Sequence, residues 1–163
     1  MRIDTSCLLP LGMDTKYHKT VFVGGNIISA IFSFGFLYRY FDERSKLFIY
    51  GPDGIEGIIE GAVIPPFTVI LERSLWGFYI TALCMLLLSI YHAAFFRLGS
   101  KSVYLMKRLP SRWELPKRIY VLPTLGALGT FMICAVFFLI YFVIYLLVTP
   151  KACLPNGILW GSF

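Results

Sequence analysis

The stretch LWGFYITALCMLLLSIYHAAFF, Leu75 to Phe96, decides the fold. It holds no Asp, Glu, Lys or Arg. A helix rising about 1.5 Å per residue crosses the roughly 30 Å core of a bilayer in about 20 apolar residues, so this run predicts a transmembrane helix. Leu86, Leu87 and Leu88 fall at its centre, and Trp76 and Tyr79 lie near one end, where an aromatic belt is expected.

Two further runs flank it. Val21 to Phe41 carries one strong charge, Arg39, at its far end, and Leu122 to Thr149 is longer than a bilayer requires. The excess length predicts a tilt or an interfacial turn around Pro123 and Gly126, with Pro150 as the stop. The expected fold is an all-α membrane protein: one transmembrane domain over 1–163, with spans at about 21–41, 75–96 and 122–149. The connections are an outer loop, 42–74, a cytoplasmic loop, 97–121, and an outer tail, 150–163. The whole chain of 163 residues agrees, with 58% hydrophobic and 15% charged residues where soluble domains have roughly 45–50% and about 25%. Mean hydropathy is +0.74. These values exclude a disordered chain, and three spans leave no room for a soluble catalytic domain. The first twenty residues, with Asp4 and Asp14 and no continuous apolar core, do not predict a cleavable signal; the first span is expected to act as an uncleaved anchor.

Basic residues set the orientation, because Lys- and Arg-rich connections stay on the cytoplasmic side. Arg97, Lys101, Lys107, Arg108, Arg112, Lys117 and Arg118 crowd one connection with Glu114 as its only acid, whereas 42–73 holds three bases against six acids. The N-terminus is thus expected inside and the C-terminus outside. In the outer loop, Ile55, Ile58, Ile59, Ala62 and Val63 recur at helical spacing, with Glu56 and Glu60 on another face and Pro65-Pro66 closing the run. This predicts a short amphipathic surface helix; a re-entrant segment extending to Leu71 is the alternative.

Catalytic patterns are not expected. Gly99-Ser100-Lys101-Ser102 resembles only the end of a phosphate-binding loop and reads instead as a turn and helix cap. His18 and His92 have no triad partner in sequence, and His92 falls within one turn of the interface, where an imidazole can bind headgroups or water. Cys7, Cys84, Cys134 and Cys153 show neither metal spacing nor a disulfide framework. No cofactor, metal or nucleic acid is expected.

Packing signals are stronger. Gly25, Ser29 and Ser33 recur every four residues on the first span, and Gly126, Thr130 and Cys134 on the third, giving each a small-residue stripe for a partner helix. Asn26 adds an interhelical hydrogen-bonding group, and the aromatic run Phe137, Phe138, Tyr141, Phe142 and Tyr145 suits lipid contact and packing. The cytoplasmic loop alternates bases with large apolar groups. Ser100 or Ser102 can cap a helix ending at Pro110, and Ser111 with Glu114 has capping-box spacing for a further turn limited by Pro116. Tyr104, Met106, Leu109 and Trp113 can anchor a cytoplasmic partner, with Lys107, Arg108 and Arg112 as its polar rim. The same bases suit anionic lipid.

The run Gly-Ser-Lys-Ser-x-Tyr-Leu-Met-Lys-Arg-Leu-Pro over 99–110, the Trp-Glu-Leu turn at 113–115 and the final span ending Thr-Pro-Lys-Ala-Cys-Leu-Pro at 149–155 resemble small membrane proteins associated with bacterial ABC-2-type transporters. The resemblance covers about the C-terminal two thirds, and it departs from the permease pattern in having three spans where about six are usual. It implies a non-catalytic subunit, permease-like or accessory, in the bacterial cytoplasmic membrane, joined to other membrane subunits and to a separate ATPase lying near the basic loop. The alternative is a self-assembling small membrane protein acting as a regulator or channel.

Overall fold

The computed structural model describes residues 15–51, 54–59, 61–98 and 114–155. Helices α1 (Thr15–Ser33) and α2 (Gly35–Ser45) lead to a hairpin of β1 (Phe48–Gly51) and β2 (Gly54–Ile58). The one-turn α3 (Phe67–Leu71), the long α4 (Trp76–Leu98) and α5 (Glu114–Val148), and a 3-10 turn (Lys151–Cys153) follow. Three stretches are long and apolar enough to cross a membrane: His18–Ser45, Trp76–Ala94 and Ile119–Val148. Three such helices are consistent with an integral membrane protein.

The boundaries differ from expectation for local reasons. Between α1 and α2, Phe34 N–H donates to the Ile31 carbonyl at 3.2 Å, a 3-10 contact, beside Ser33 Oγ donating to the Ala30 carbonyl at 2.7 Å. Such back-bonding tightens a helix without ending it. The first helical stretch also outruns Phe41, because Lys46 pairs with Asp42 at 2.9 Å and with Glu43 at 2.7 Å at its C-terminal end. These contacts, the Glu43 hydrogen bond foremost, push the Lys46 pKa up to about 12. α5 starts eight residues before the expected Leu122, so 114–121 is helix rather than loop. Pro116 then falls in its first turn, where a missing N–H costs nothing. Pro123 is inside the helix rather than at an interfacial turn, with the neighbouring Thr124 hydroxyl donating to the Tyr120 carbonyl at 2.7 Å.

In place of the amphipathic helix expected over 55–63, residues 55–58 belong to a strand. Phe48 pairs with Ile58, Ile49 with Gly57, Tyr50 with Ile55 and Gly51 with Gly54, antiparallel with a bulge at Ile49/Tyr50. Gly57 and Gly61 each weaken a helix by roughly 0.5–1 kcal/mol relative to Ala, while the isoleucines favour a pleated surface. Gly61, at φ 79°, turns the chain out of the hairpin.

The chain divides into two compact units, Met1–Ile28 with Phe78–Ile133, and Ser29–Gly77 with Cys134–Phe163. In the first, Ala82, Met85 and Ala127 form a buried cluster with Val21, Phe22 and Leu88 against it. Gly25 lies so close to α4 that a Cβ there would stand 2.5 Å from Thr81 Cγ2. In the second, Phe36, Tyr40, Phe67 and Tyr145 are fully enclosed. Phe67 meets Phe36, Phe138, Phe142 and Tyr145 edge-on at 5.3–5.6 Å between centroids, and Tyr141 stacks on Phe36 at 4.6 Å.

The close approach at Gly25 gives a direct expectation. Gly25→Ala should lower stability by about 1–3 kcal/mol, the usual cost of overpacking, because Thr81 is β-branched and stiff. Gly24→Ala, with open space around it, should be neutral or stabilising. Thermal unfolding of the two variants in one detergent checks the contrast.

Candidate functional site

The most suggestive side-chain arrangement in the first unit lies at the N-terminal end of α1. His18 and His92 are each about 95% buried, and their rings meet edge to face with centroids 4.7 Å apart. Antiparallel α1 and α4 bring them together, since His18 precedes the first apolar run and His92 ends the second. Tyr91 flanks the pair at 6.0 Å from His92. Sequence alone gives neither histidine a partner, and the signal that joins them is that one precedes the first apolar run while the other closes the second.

Beside the pair lies a cavity of about 270 Å³, walled by Phe22, Met85, Leu122, Leu125 and Gly126 and lined also by His18 and Lys19. Met85 reaches over Gly126, where a Cβ would collide with its terminal methyl. His18 Nδ1 is buried without a hydrogen-bond partner, an arrangement that costs about 1–3 kcal/mol. Two turns along α1, Asn26 Nδ2 donates to the Phe22 carbonyl at 2.7 Å and to Thr130 Oγ1 at 3.2 Å. Thr130 Oγ1 in turn donates to the Gly126 carbonyl at 3.1 Å, and Asn26 Oδ1 is left buried and unpaired.

The second unit holds polar contacts of another kind. Ser33 Oγ and Tyr141 OH share a hydrogen bond at 2.7 Å, as do Tyr40 OH and Thr149 Oγ1 at 3.0 Å. Tyr145 OH donates to the Pro65 carbonyl at 3.1 Å, and Ile64 N–H to the Cys153 carbonyl at 3.0 Å. These tie the first helical stretch, α5 and the Pro65-Pro66 turn together.

The two small-residue stripes lie inside the chain. In the first unit, Gly25 faces Thr81, Gly126 faces Met85 and Thr130 is fully buried. In the second, Ser29, Ser33 and Cys134 are buried, and Gly77 closes on Ser29, whose Cα would lie 3.0 Å from an added Cβ. Of the cysteines, Cys84 is exposed on an apolar helix while Cys134 and Cys153 are buried thiols. Among the described residues no three His, Cys, Asp or Glu side chains converge to hold a metal. Tyr104, Met106, Lys107, Arg108, Leu109, Arg112 and Trp113, the expected docking residues, lie outside the described residues.

Pairing of the two imidazoles is measurable. A double-mutant cycle with His18→Leu and His92→Leu should give a coupling of about 0.5–1.5 kcal/mol, the usual worth of an edge-to-face ring contact beyond burial. Additive effects on the unfolding free energy would mean the rings do not meet.

No protein-family model, no curated protein and no solved structure matches the chain.

Proposed function

We propose that the protein is a non-catalytic membrane subunit, permease-like or accessory, of a multisubunit ATP-driven transporter of the ABC-2 type, coupled through its basic loop to a separate ATPase. The observation that carries the reading is the place of that loop in the chain. Residues 99–113 directly join α4, which ends at Leu98, to α5, which begins at Glu114. A partner that displaced this segment would act on two membrane-length helices, and the segment carries both apolar anchors and bases to fix a partner's register. A polytopic helper without its own ATP site needs such a handle.

The proposed setting is the bacterial cytoplasmic membrane, with the N-terminus and 97–121 inside and the hairpin and C-terminus outside. The charge asymmetry supports this orientation. We read α3 as the deepest part of the outer loop: its Phe67, Ile70 and Leu71 are buried, and protein packed around the backbone is the condition for non-spanning chain at membrane depth. The self-assembling alternative relied on the small-residue stripes, and these are occupied within the chain.

Two experiments test the proposal. Tyr104→Ala combined with Leu109→Ala should strip most ATPase from the purified complex while leaving insertion unchanged, because every positive charge remains; full ATPase recovery would remove the coupling role. For orientation, Cys153 is a poor reporter because its residue is 1% exposed. In a cysteine-free background, Lys151→Cys, at an exposed position, should react with a membrane-impermeant maleimide in intact cells, and Lys107→Cys should react only after lysis. The opposite pattern would reverse the topology.

A further inference from the structure

We infer that the cavity of the first unit seats one anionic phospholipid from the surrounding bilayer, an acyl chain lying among Phe22, Met85, Leu122 and Leu125 with the phosphate meeting His18 and Lys19. The inference does not rest on the ATPase reading, and its test involves no ATPase.

Three observations converge on this occupant. The first is the wall. It is built almost wholly of apolar side chains, so water entering it would lack the two to four polar partners that hold a buried water, whereas a hydrocarbon chain needs none. At about 270 Å³ the cavity lies just below the roughly 300–1,000 Å³ of small-molecule sites, which suits part of one chain better than a bulky solute. The second is His18. His18 lines the cavity and is only 5% exposed, and its Nδ1 is buried and unpartnered, an unmet hydrogen-bonding capacity that a phosphate or glycerol oxygen supplies once the ring turns a protonated Nδ1 towards the cavity.

The third observation is the sign of the charge. Lys19 also lines the cavity, is exposed and forms no ion pair among the described residues. The His18–His92 contact shows that this end of the unit is the one to which the segment with seven bases is attached. A net negative headgroup is favoured there over a zwitterionic one, whose trimethylammonium would face Lys19.

The full-length protein, reconstituted in nanodiscs of equal parts phosphatidylglycerol and phosphatidylcholine and released in a native mass spectrometer, reads the site directly. The wild type should retain one lipid, with phosphatidylglycerol favoured about fivefold, what a single base at a membrane surface contributes. Lys19→Gln should bring that ratio towards one. Leu122→Trp, which fills the cavity, should lower retention of both lipids, while Leu128→Trp on an exposed helix face should change neither. The inference is overturned if the wild type retains the two lipids in their mixing ratio, an arm that needs no variant, or if Leu122→Trp holds as much lipid as Leu128→Trp.

Discussion

In a bilayer, helices gain nothing by hiding apolar surface from one another, since lipid tails are as apolar as leucine. Cohesion must then come from close backbone approach and from polar groups that find partners across helices. This chain uses both. Asn26 meets Thr130, Ser33 meets Tyr141 and Tyr40 meets Thr149, and 26, 33 and 40 recur every seven residues, two helical turns apart. Interhelical hydrogen bonds of this kind average only about 0.6 kcal/mol in membranes, so they specify which faces meet more than they add stability. Glycine adds close approach: Gly25 on α1 lets Thr81 of α4 come close, and Gly77 on α4 does the same for Ser29 of α1.

The second unit rests on a different device. Phe67, at the start of a five-residue helix, is ringed by Phe36, Phe138, Phe142 and Tyr145. A helix that short has no stability of its own, and its shape follows from Pro65-Pro66 entering it and from tertiary packing around one ring. Tyr145 contributes twice, its ring against Phe67 and its hydroxyl to the Pro65 carbonyl, so the same side chain holds the turn and the plug behind it. The exposed Arg39–Glu72 pair at 3.8 Å adds little by comparison.

Legibility in the sequence followed the physics of each signal. The three apolar stretches were plain because bilayer thickness imposes a length no other constraint mimics. The stripes at 25, 29, 33 and 126, 130, 134 were plain as packing faces, but spacing says nothing about whose helix will meet them, and helices of the same chain do. The hairpin was missed because Ile55, Ile58 and Ile59 satisfy helical spacing by themselves; Gly51-Pro52-Asp53-Gly54, a turn sequence, followed Phe48-Ile49-Tyr50 and outweighed it. The aromatic run at 137–145 suits lipid contact and packing in sequence, and Tyr141 and Tyr145 prove to be core, since their burial depends on Phe36 and Phe67, more than 70 residues earlier.

The histidine pair shows how topology converts isolated residues into a site. Neither imidazole had a partner within reach along the chain, but a hairpin of two spanning helices brings the start of one beside the end of the other, so residues some 74 positions apart share a level. That level also borders the apolar cavity, which His18 and Lys19 help to line. In a soluble protein, a buried imidazole nitrogen without a partner would draw in water. Against a wall as apolar as this one water finds too few partners, and the anionic headgroup we infer is the occupant whose charge Lys19 complements.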